Sequence, residues 1–189
     1  DDVVSSIWDF NDSAANSSLY DSHHRYSEAG IFFPELTVFN SYGCFSSITR
    51  QIEIYDLPEF SILVENNCAG DSTEFQVIFN NLISHNFIYN WDFGDNSYSV
   101  DSSTFHVYDD FGKYYISLHV ESDKGCKSIN TDSLLIHALP EIDFDIVGHC
   151  FGSLTNFINK SFIKDGYILD YHWDIGDFSR SIKDFSHTF

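Results

Sequence analysis

Two pairs of aspartates, each at the end of an aromatic-rich run, are the residues of this chain best suited to chemistry. Asp92 and Asp95 are the two aspartates of the run Asn-Trp-Asp-Phe-Gly-Asp, and Asp174 and Asp177 are those of the run Trp-Asp-Ile-Gly-Asp. Two carboxyl groups that face one cleft with separated pKa values can carry out general acid–base catalysis. Carboxylate oxygens are also the ligands that calcium prefers. The pattern therefore raises a catalytic and a calcium hypothesis.

A structural interpretation of the same residues is simpler. Asp accepts backbone N–H groups in tight turns, and a Gly between two Asp residues supplies the unusual φ that such a turn requires. The sequence has no His-Glu-x-x-His, no zinc spacing of Cys and His, no Gly-x-Ser-x-Gly elbow and no phosphate loop. We therefore predict no catalytic and no cofactor-binding residue and no enzyme activity. Calcium is the one ion considered, with Asp92, Asp95, Asp174 and Asp177 as its candidate ligands.

The Trp-Asp motif occurs three times, beginning at Trp8, Trp91 and Trp173, and the two intervals between these copies are nearly equal. Four further pairs repeat with the interval that separates Trp91 from Trp173: Gly30 and Gly112, Cys44 and Cys126, Pro58 and Pro140, and Cys68 and Cys150. A period of this length corresponds to a folded domain and not to one turn of a solenoid. The chain is therefore predicted to be a row of small domains.

The repeat divides the chain into three parts. Residues 1–57, the first repeat, lack the initial strands; residues 58–139, the middle repeat, are complete; residues 140–189, the third repeat, lack the last strands. In the middle repeat, alternation predicts strands at 60–65, 74–80, 87–93, 98–100, 104–108, 114–121 and 129–137. About seven short strands with a Trp on the third indicate an all-β, two-sheet sandwich. In the first repeat the corresponding strands are predicted at 31–40 and 48–55.

Composition and charge exclude several classes of partner. Aromatic residues make up 17% of the chain, and the net charge is −20. A phosphate backbone or an anionic lipid surface requires a basic face, so neither nucleic acid nor such a surface is expected to bind. No run of 18 apolar residues is present, so no membrane insertion is expected in this window.

These motifs resemble the PKD domain, the immunoglobulin-like repeat named after polycystic kidney disease. The family pattern reads Trp-Asp-Phe-Gly-Asp-Gly, then His-Thr-Tyr, then Gly-x-Tyr; here Asn96 stands in place of the last Gly of the first element, and Asn11 replaces the central Gly of the first copy. The motif residues are Trp8, Asp9, His24, Trp91, Asp92, Gly94, Asp95, His106, Trp173, Asp174, Gly176, Asp177 and His187. The resemblance covers essentially the whole chain and implies tandem immunoglobulin-like sandwiches, head to tail.

The histidines and tryptophans of the motif have structural roles in this interpretation. His24, His106 and His187 recur before an aromatic residue, and we expect each to lie at the edge of the core and bond a backbone carbonyl, not a metal. The tryptophans are expected to be core anchors and not sugar-stacking platforms, because the strand pattern points them inward.

The four cysteines, Cys44, Cys68, Cys126 and Cys150, form two pairs of equal spacing, since Cys44 precedes Cys68 by the same interval as Cys126 precedes Cys150. This spacing favours disulfides in an oxidising compartment over zinc binding. A Cys68–Cys126 bond is one possibility, but these residues belong to opposite ends of a sandwich, roughly 20 Å apart, which exceeds disulfide reach. The staggered alternative pairs Cys126 with a cysteine before residue 1, and Cys68 with one after residue 189.

The cysteine positions are similar to those of PKD repeats in surface proteins of Bacteroidetes-type bacteria, which form stalks, adhesins and spacers on secreted enzymes. The resemblance implies a non-catalytic, extracellular stalk or filament segment at the cell surface. Its expected partners are neighbouring PKD-like domains of the same or adjacent chains, and a glycan or surface protein is a further candidate. The alternatives are a glycan- or protein-binding module, an accessory region of a secreted hydrolase, and a strand-donating filament subunit.

Overall fold

A computed structural model describes residues 5–81, 86–148, 150–176 and 179–188, and within these ranges the chain forms strands and no helix. Aromatic and β-branched residues, which fit a pleated and half-buried surface, fill the strands, while Gly, Asn and Asp fill the turns between them. The prediction of an all-β, immunoglobulin-like fold is confirmed.

Seventeen strands are present in the described ranges. The first repeat contains β1 (Ser5–Asp9), β2 (Gly30–Phe32), β3 (Glu35–Phe39), β4 (Phe45–Thr49) and β5 (Ile52–Ile54). The middle repeat contains β6 (Phe60–Glu65), β7 (Ser72–Phe79), β8 (Phe87–Asp92), β9 (Tyr98–Ser99), β10 (Ser103–Val107), β11 (Gly112–Ser122) and β12 (Lys127–Ile136). The third repeat contains β13 (Phe144–Val147), β14 (Leu154–Asn159), β15 (Trp173–Asp174), β16 (Ser179–Arg180) and β17 (Phe185–Thr188).

The middle repeat is built from two sheets, ordered β10-β7-β6 and β12-β11-β8-β9. Their inner faces meet at Phe75 of β7 and Trp91 of β8, whose ring centroids are 5.7 Å apart. On β11 every second residue, Ile116, Leu118 and Val120, is at most 2% exposed. This period of two buries one face of each strand, as a sandwich requires.

The first repeat forms a sheet ordered β1-β3-β4 and a separate pair of strands, β2 and β5. Trp8 lies opposite Leu36 in the β1–β3 register. The single strand predicted at 31–40 is divided at residues 33–34, because Pro34 has no N–H to donate to a ladder. The strand predicted at 48–55 is likewise divided into β4 and β5.

The third repeat forms a sheet ordered β13-β14-β17 and a short pair, β15 and β16. Thr155 of β14 lies opposite His187 of β17, the same register that places Thr73 of β7 opposite His106 of β10. The repeated register shows that the sequence repeat is also a repeat in strand pairing.

The chain forms two compact units, one of residues 1–59, 79–88 and 120–128, and the other of residues 60–78, 89–119 and 129–189. The three-domain division at 57/58 and 139/140 stays a prediction from the sequence repeat.

Candidate functional site

The first aspartate of each acidic pair closes a tight turn with its own side chain. In each repeat its Oδ1 accepts the backbone N–H two residues further on, at 2.9 Å: Asp9 from Asn11, Asp92 from Gly94, and Asp174 from Gly176. An oxygen engaged in this way replaces a backbone acceptor and fixes the direction of the chain.

In the middle repeat the second aspartate bonds on both oxygens. Asp95 Oδ1 accepts the backbone N–H of Ser97 at 3.0 Å, and Oδ2 accepts the Nε2–H of His106 at 2.6 Å. From sequence a backbone carbonyl was the expected partner of His106, but its partner is this carboxylate. The contact joins the turn after β8 to strand β10.

Aromatic rings hold the histidine in place. The ring of His106 stacks on Phe93, with centroids 4.4 Å apart and planes 7° apart, and it meets Tyr108 edge-on at 4.6 Å. The hydroxyl of Tyr108 donates to the carbonyl of Phe93 at 3.1 Å. We name Phe93, Asp95, His106 and Tyr108 the middle clamp.

The first repeat contains the same arrangement, the first clamp, made of Phe10, Asp12, His24 and Tyr26. The Nε2–H of His24 donates to Asp12 at 2.6 Å, and the His24 ring stacks on Phe10 at 4.0 Å with a plane angle of 5°. The hydroxyl of Tyr26 donates to the Phe10 carbonyl at 3.1 Å. Two copies with the same hydrogen-bond distances show that the clamp follows from the local motif. In the third repeat, Asp177 lies outside the described residues.

The clamp changes the acidity of its members. The hydrogen bond from His24 lowers the pKa of Asp12. Burial alone would raise the pKa of Asp95, but the hydrogen bonds from His106 and Ser97 outweigh burial and lower it. Burial raises the pKa of Tyr108 far above its ordinary value, so its hydroxyl remains a donor. Each carboxylate is therefore held in its charged form as an acceptor.

In the first and middle repeats, two positions of the turn have a left-handed backbone. In the middle repeat they are Gly94 (φ 81°) and Asn96 (φ 70°), and in the first repeat Asn11 (φ 62°) and Ser13 (φ 66°). Asn tolerates this region better than most residues, which explains how Asn96 replaces the Gly of the family pattern. The departures from the motif therefore leave the turn geometry intact.

The three tryptophans make an equivalent bond. The indole N–H of each donates to a backbone carbonyl of the following loop: Trp8 to Leu19 at 3.2 Å, Trp91 to Asp101 at 2.9 Å, and Trp173 to Ile182 at 2.9 Å. Trp91 lies in the core at 1% exposure, whereas Trp8 and Trp173 are half-buried. Each indole ties a loop to its strand.

The sequence model of the PKD domain matches residues 57–136. This chain contains a PKD domain. The crystal structure of the PKD1 domain of the Vibrio cholerae metalloprotease PrtV is 22% identical over 43% of this chain and 98% of its own, with a TM-score of 0.38. The three N-terminal domains of the highly immunogenic outer capsid protein (Hoc) of bacteriophage RB49 are 12% identical over 96% of this chain and 69% of theirs, with a TM-score of 0.41.

PKD domains are typically non-catalytic modules, and they occur in extracellular proteins. In the ranges that the structure describes, no group of three or more His, Cys, Asp or Glu residues is arranged to hold a metal ion. Within the same ranges no helix is long and apolar enough to cross a membrane. Calcium binding at the acidic turns of this PKD domain and its neighbours stays a prediction.

The four cysteines are free thiols in the structure, with Cys68 and Cys126 half-buried and Cys44 and Cys150 exposed. The Cys126 thiol lies 3.9 Å from the carbonyl oxygen of Tyr55, a residue of the segment that precedes the PKD domain. Cys68 pairs through its backbone with His137, in the segment that follows β12. The staggered disulfide pairing stays a prediction.

Sequence reasoning missed two polar residues, of which one holds the start of the PKD domain and the other holds the segment that follows β12. Asn81 donates to the Leu57 carbonyl at 3.1 Å and accepts the Glu59 N–H at 3.2 Å. Asp165 accepts N–H groups from His137 and Ala138 at 2.9 and 2.8 Å. Neither residue belongs to the family motif. Pro58 and Pro140 indicated where the repeats meet, but the sequence did not show which side chains bond there.

Proposed function

We propose that this chain is a structural segment of an extracellular protein, in which PKD-like repeats form a stalk or filament that spaces or presents other parts. The observation that carries the proposal is the engagement of the acidic turns. The Asp95 carboxylate, the best candidate for chemistry, has both oxygens bonded within its own domain, and its histidine stacks on Phe93 and meets Tyr108 edge-on. These groups stabilise the fold.

The contacts at the start of the PKD domain support a mechanical role. Asn81 forms hydrogen bonds with the backbone of Leu57 and Glu59, and Lys124 lies over the ring of Tyr55 at 5.5 Å. Pro58 fixes φ next to these contacts. A segment held by hydrogen bonds and by a fixed φ bends less than a flexible linker, which suits a spacer.

Single-molecule pulling of the full chain tests the proposal. Unfolding of residues 57–136 should appear as a discrete force peak that releases about 270 Å of chain, from roughly 3.4 Å per residue. The variant H106A, which removes the clamp bond together with the stacked ring, should lower that force, whereas exposed Lys127→Gln should leave it unchanged. A chain that extends without a discrete peak would overturn the mechanical role.

A second candidate, a glycan-binding module, is favoured by two exposed tyrosines of the middle repeat. Tyr98 of β9 and Tyr115 of β11 are 70% and 71% exposed, on the two strands that flank β8. Tyr98 lies opposite Asp92 of β8, so the two rings share the outer face with a carboxylate. An exposed aromatic patch of this kind can stack on a sugar ring.

A glycan array probed with the full chain separates the candidates. The second function predicts binding that is lost in the double variant Y98A/Y115A and kept in F105A, which removes an exposed ring from the other sheet. Binding that survives the double variant, or no binding to any glycan, would exclude this glycan site, and the structural function would be the remaining candidate.

A further inference from the structure

A single carboxylate holds the segment that leads from the middle repeat into the third. Asp165 Oδ2 accepts the Nδ1–H of His137 at 2.9 Å, and Asp165 Oδ1 accepts the backbone N–H of Ala138 at 2.8 Å. Ala138 is buried. Both oxygens of one side chain therefore bond two consecutive residues of the connecting segment.

The same segment is fixed to the middle repeat by its backbone. The N–H of His137 donates to the carbonyl of Asn67 at 2.8 Å, and the carbonyl of His137 accepts the N–H of Ala69 at 2.8 Å. The backbone of His137 thus belongs to the middle repeat, while its imidazole reaches Asp165 of the third repeat. His137 therefore contacts both repeats.

Lys164, which precedes Asp165 in the chain, forms an ion pair with Glu141. Lys164 Nζ pairs with Glu141 Oε1 at 2.7 Å, and the backbone of Glu141 exchanges two hydrogen bonds with Phe162 at 2.8 and 3.0 Å. The hydrogen bond and the charge of Glu141 raise the pKa of Lys164, and the charge of Asp110 adds to this effect. The titratable side chain that contacts Asp165 is that of His137.

The junction at the start of the middle repeat is held differently. The amide of Asn81 makes both of its bonds, to Leu57 and Glu59, and this amide carries no charge at any ordinary pH. One segment is therefore held by a neutral side chain and the other by a carboxylate.

We propose that Asp165 is a charge-dependent latch that holds residues 137–138 and stiffens the joint between the middle and third repeats, and that acid releases it. The latch gives the proposed stalk one joint that can loosen while its domains remain folded. The biological role of the latch rests on the proposed stalk function. The latch itself can be tested separately, because the experiment does not require the chain to bear force.

The direction of the pH dependence follows from the carboxylate. The hydrogen bond from His137, with that from Ala138, lowers the pKa of Asp165. A carboxyl group whose pKa is lower in the folded state stabilises that state fully at pH values above its unfolded pKa, which is about 4 for Asp. This stabilisation is lost as the pH falls through the folded pKa. The latch is therefore closed at neutral pH and opens in acid.

Amide hydrogen exchange of the full chain, resolved by NMR, tests the latch at one atom. In D165A the Ala138 amide should lose protection by about tenfold or more, while the amides of His137 and Ala69, which bond within the middle repeat, keep theirs. Lowering the pH of the wild type below about 4 should reproduce this loss in protection factors corrected for intrinsic exchange.

Two outcomes would overturn the proposal. Unchanged protection of Ala138 in D165A would mean that the carboxylate does not hold the segment. Loss of protection at Ala138, His137 and Ala69 together would mean that Asp165 only supports the fold. The variant K164A is the matched control, since it removes the neighbouring ion pair and should leave Ala138 protection within about twofold. A failed pulling experiment would count against the stalk function and leave these results unaffected.

Discussion

The first and middle clamps have the same geometry, but their tyrosines differ in burial. The His–Asp distance is 2.6 Å in both, and the Tyr hydroxyl donates at 3.1 Å in both. In the middle clamp, however, Tyr108 and Phe93 are 1% and 2% exposed, whereas Tyr26 of the first clamp is half-buried. The middle repeat has both sheets of its sandwich, and the first repeat lacks a counterpart of β6 and β7 among the described residues.

The comparison separates what the motif determines from what the domain adds. A turn of six residues and a His-x-aromatic sequence suffice to build the clamp, because its bonds are local or cross a single loop. Burial requires a second sheet, and it strengthens the same bonds by removing competing water. Identical substitutions in the two clamps should therefore have larger effects in the middle repeat.

The largest difference is expected for the tryptophans. W91A should destabilise the middle repeat by about 3–5 kcal/mol, because it leaves a cavity in a packed core. W8A should cost the first repeat much less, since Trp8 is already half-exposed. Hydrogen exchange by mass spectrometry on peptides from β7 and β3 measures both. Equal losses would show that burial does not decide the effect.

Substituting the central residue of the turn should have the next largest effect. A Cβ at Gly94 would lie 2.5 Å from the Tyr115 carbonyl oxygen, so G94N should cost about 2–4 kcal/mol although Asn occupies this position in the first repeat. There, Asn11 Oδ1 accepts the N–H of Phe33 at 3.2 Å.

Gly125→Asn is the control for G94N, because Gly125 has nearly the same φ, 80°, with no atom within 4 Å of its Cβ position. Local unfolding free energies from hydrogen exchange compare the two variants. If G94N and G125N cost the same, the close approach to Tyr115 would have no role.

Removing the clamp tyrosine hydroxyl should have a moderate effect. Y108F leaves the buried Phe93 carbonyl without its donor and should cost about 1–2 kcal/mol, whereas Y26F exposes its carbonyl to water and should cost less than about 1 kcal/mol. Hydrogen exchange of the β8 and β10 peptides reports the first, and exchange of the β1 peptide reports the second. A larger effect of Y26F would contradict the account.

Acid should weaken both clamps in the same direction. The pKa values of Asp12 and Asp95 are lowered in the folded chain. Each clamp therefore stabilises the fold fully above about pH 4, and this stabilisation is lost as the pH falls through the pKa of the folded state. D95N should therefore make the middle repeat less stable at pH 7 and no less stable than wild type near pH 2. The measurement is denaturation at both pH values, followed by fluorescence in a W8F/W173F background in which Trp91 is the remaining tryptophan. A stability difference that is the same at both pH values would exclude the clamp as its cause.

The smallest effect is expected at Thr73. Its buried hydroxyl has no hydrogen-bond partner among the described residues. T73V removes this unsatisfied group and should leave stability unchanged or raise it by up to about 1 kcal/mol. The corresponding change in the third repeat, T155V, serves as the comparison in the same exchange experiment. A loss of stability in T73V would show that the hydroxyl has a partner.

Much of the fold could be predicted from the sequence. Alternation placed β6 at 60–65 with the bounds that the structure has, and the repeat aligned all three acidic turns. The partner of His106 could not be predicted, because Asp95 lies in a different element and the contact depends on how β10 crosses the turn. The bond from Ala138 to Asp165 crosses from one repeat to the next and lies outside every motif. Contacts between strands depend on register, which a local pattern does not specify.

The central claim is that the acidic turns are internal clamps, and an NMR titration of the full chain with calcium chloride tests it most directly. The account predicts that the signals of Gly94, Ser97 and the His106 ring do not shift in a saturable way, because Asp92 Oδ1 and both oxygens of Asp95 already accept hydrogen bonds. Saturable shifts at these residues that disappear in D95N would contradict it and would make the turns a calcium site.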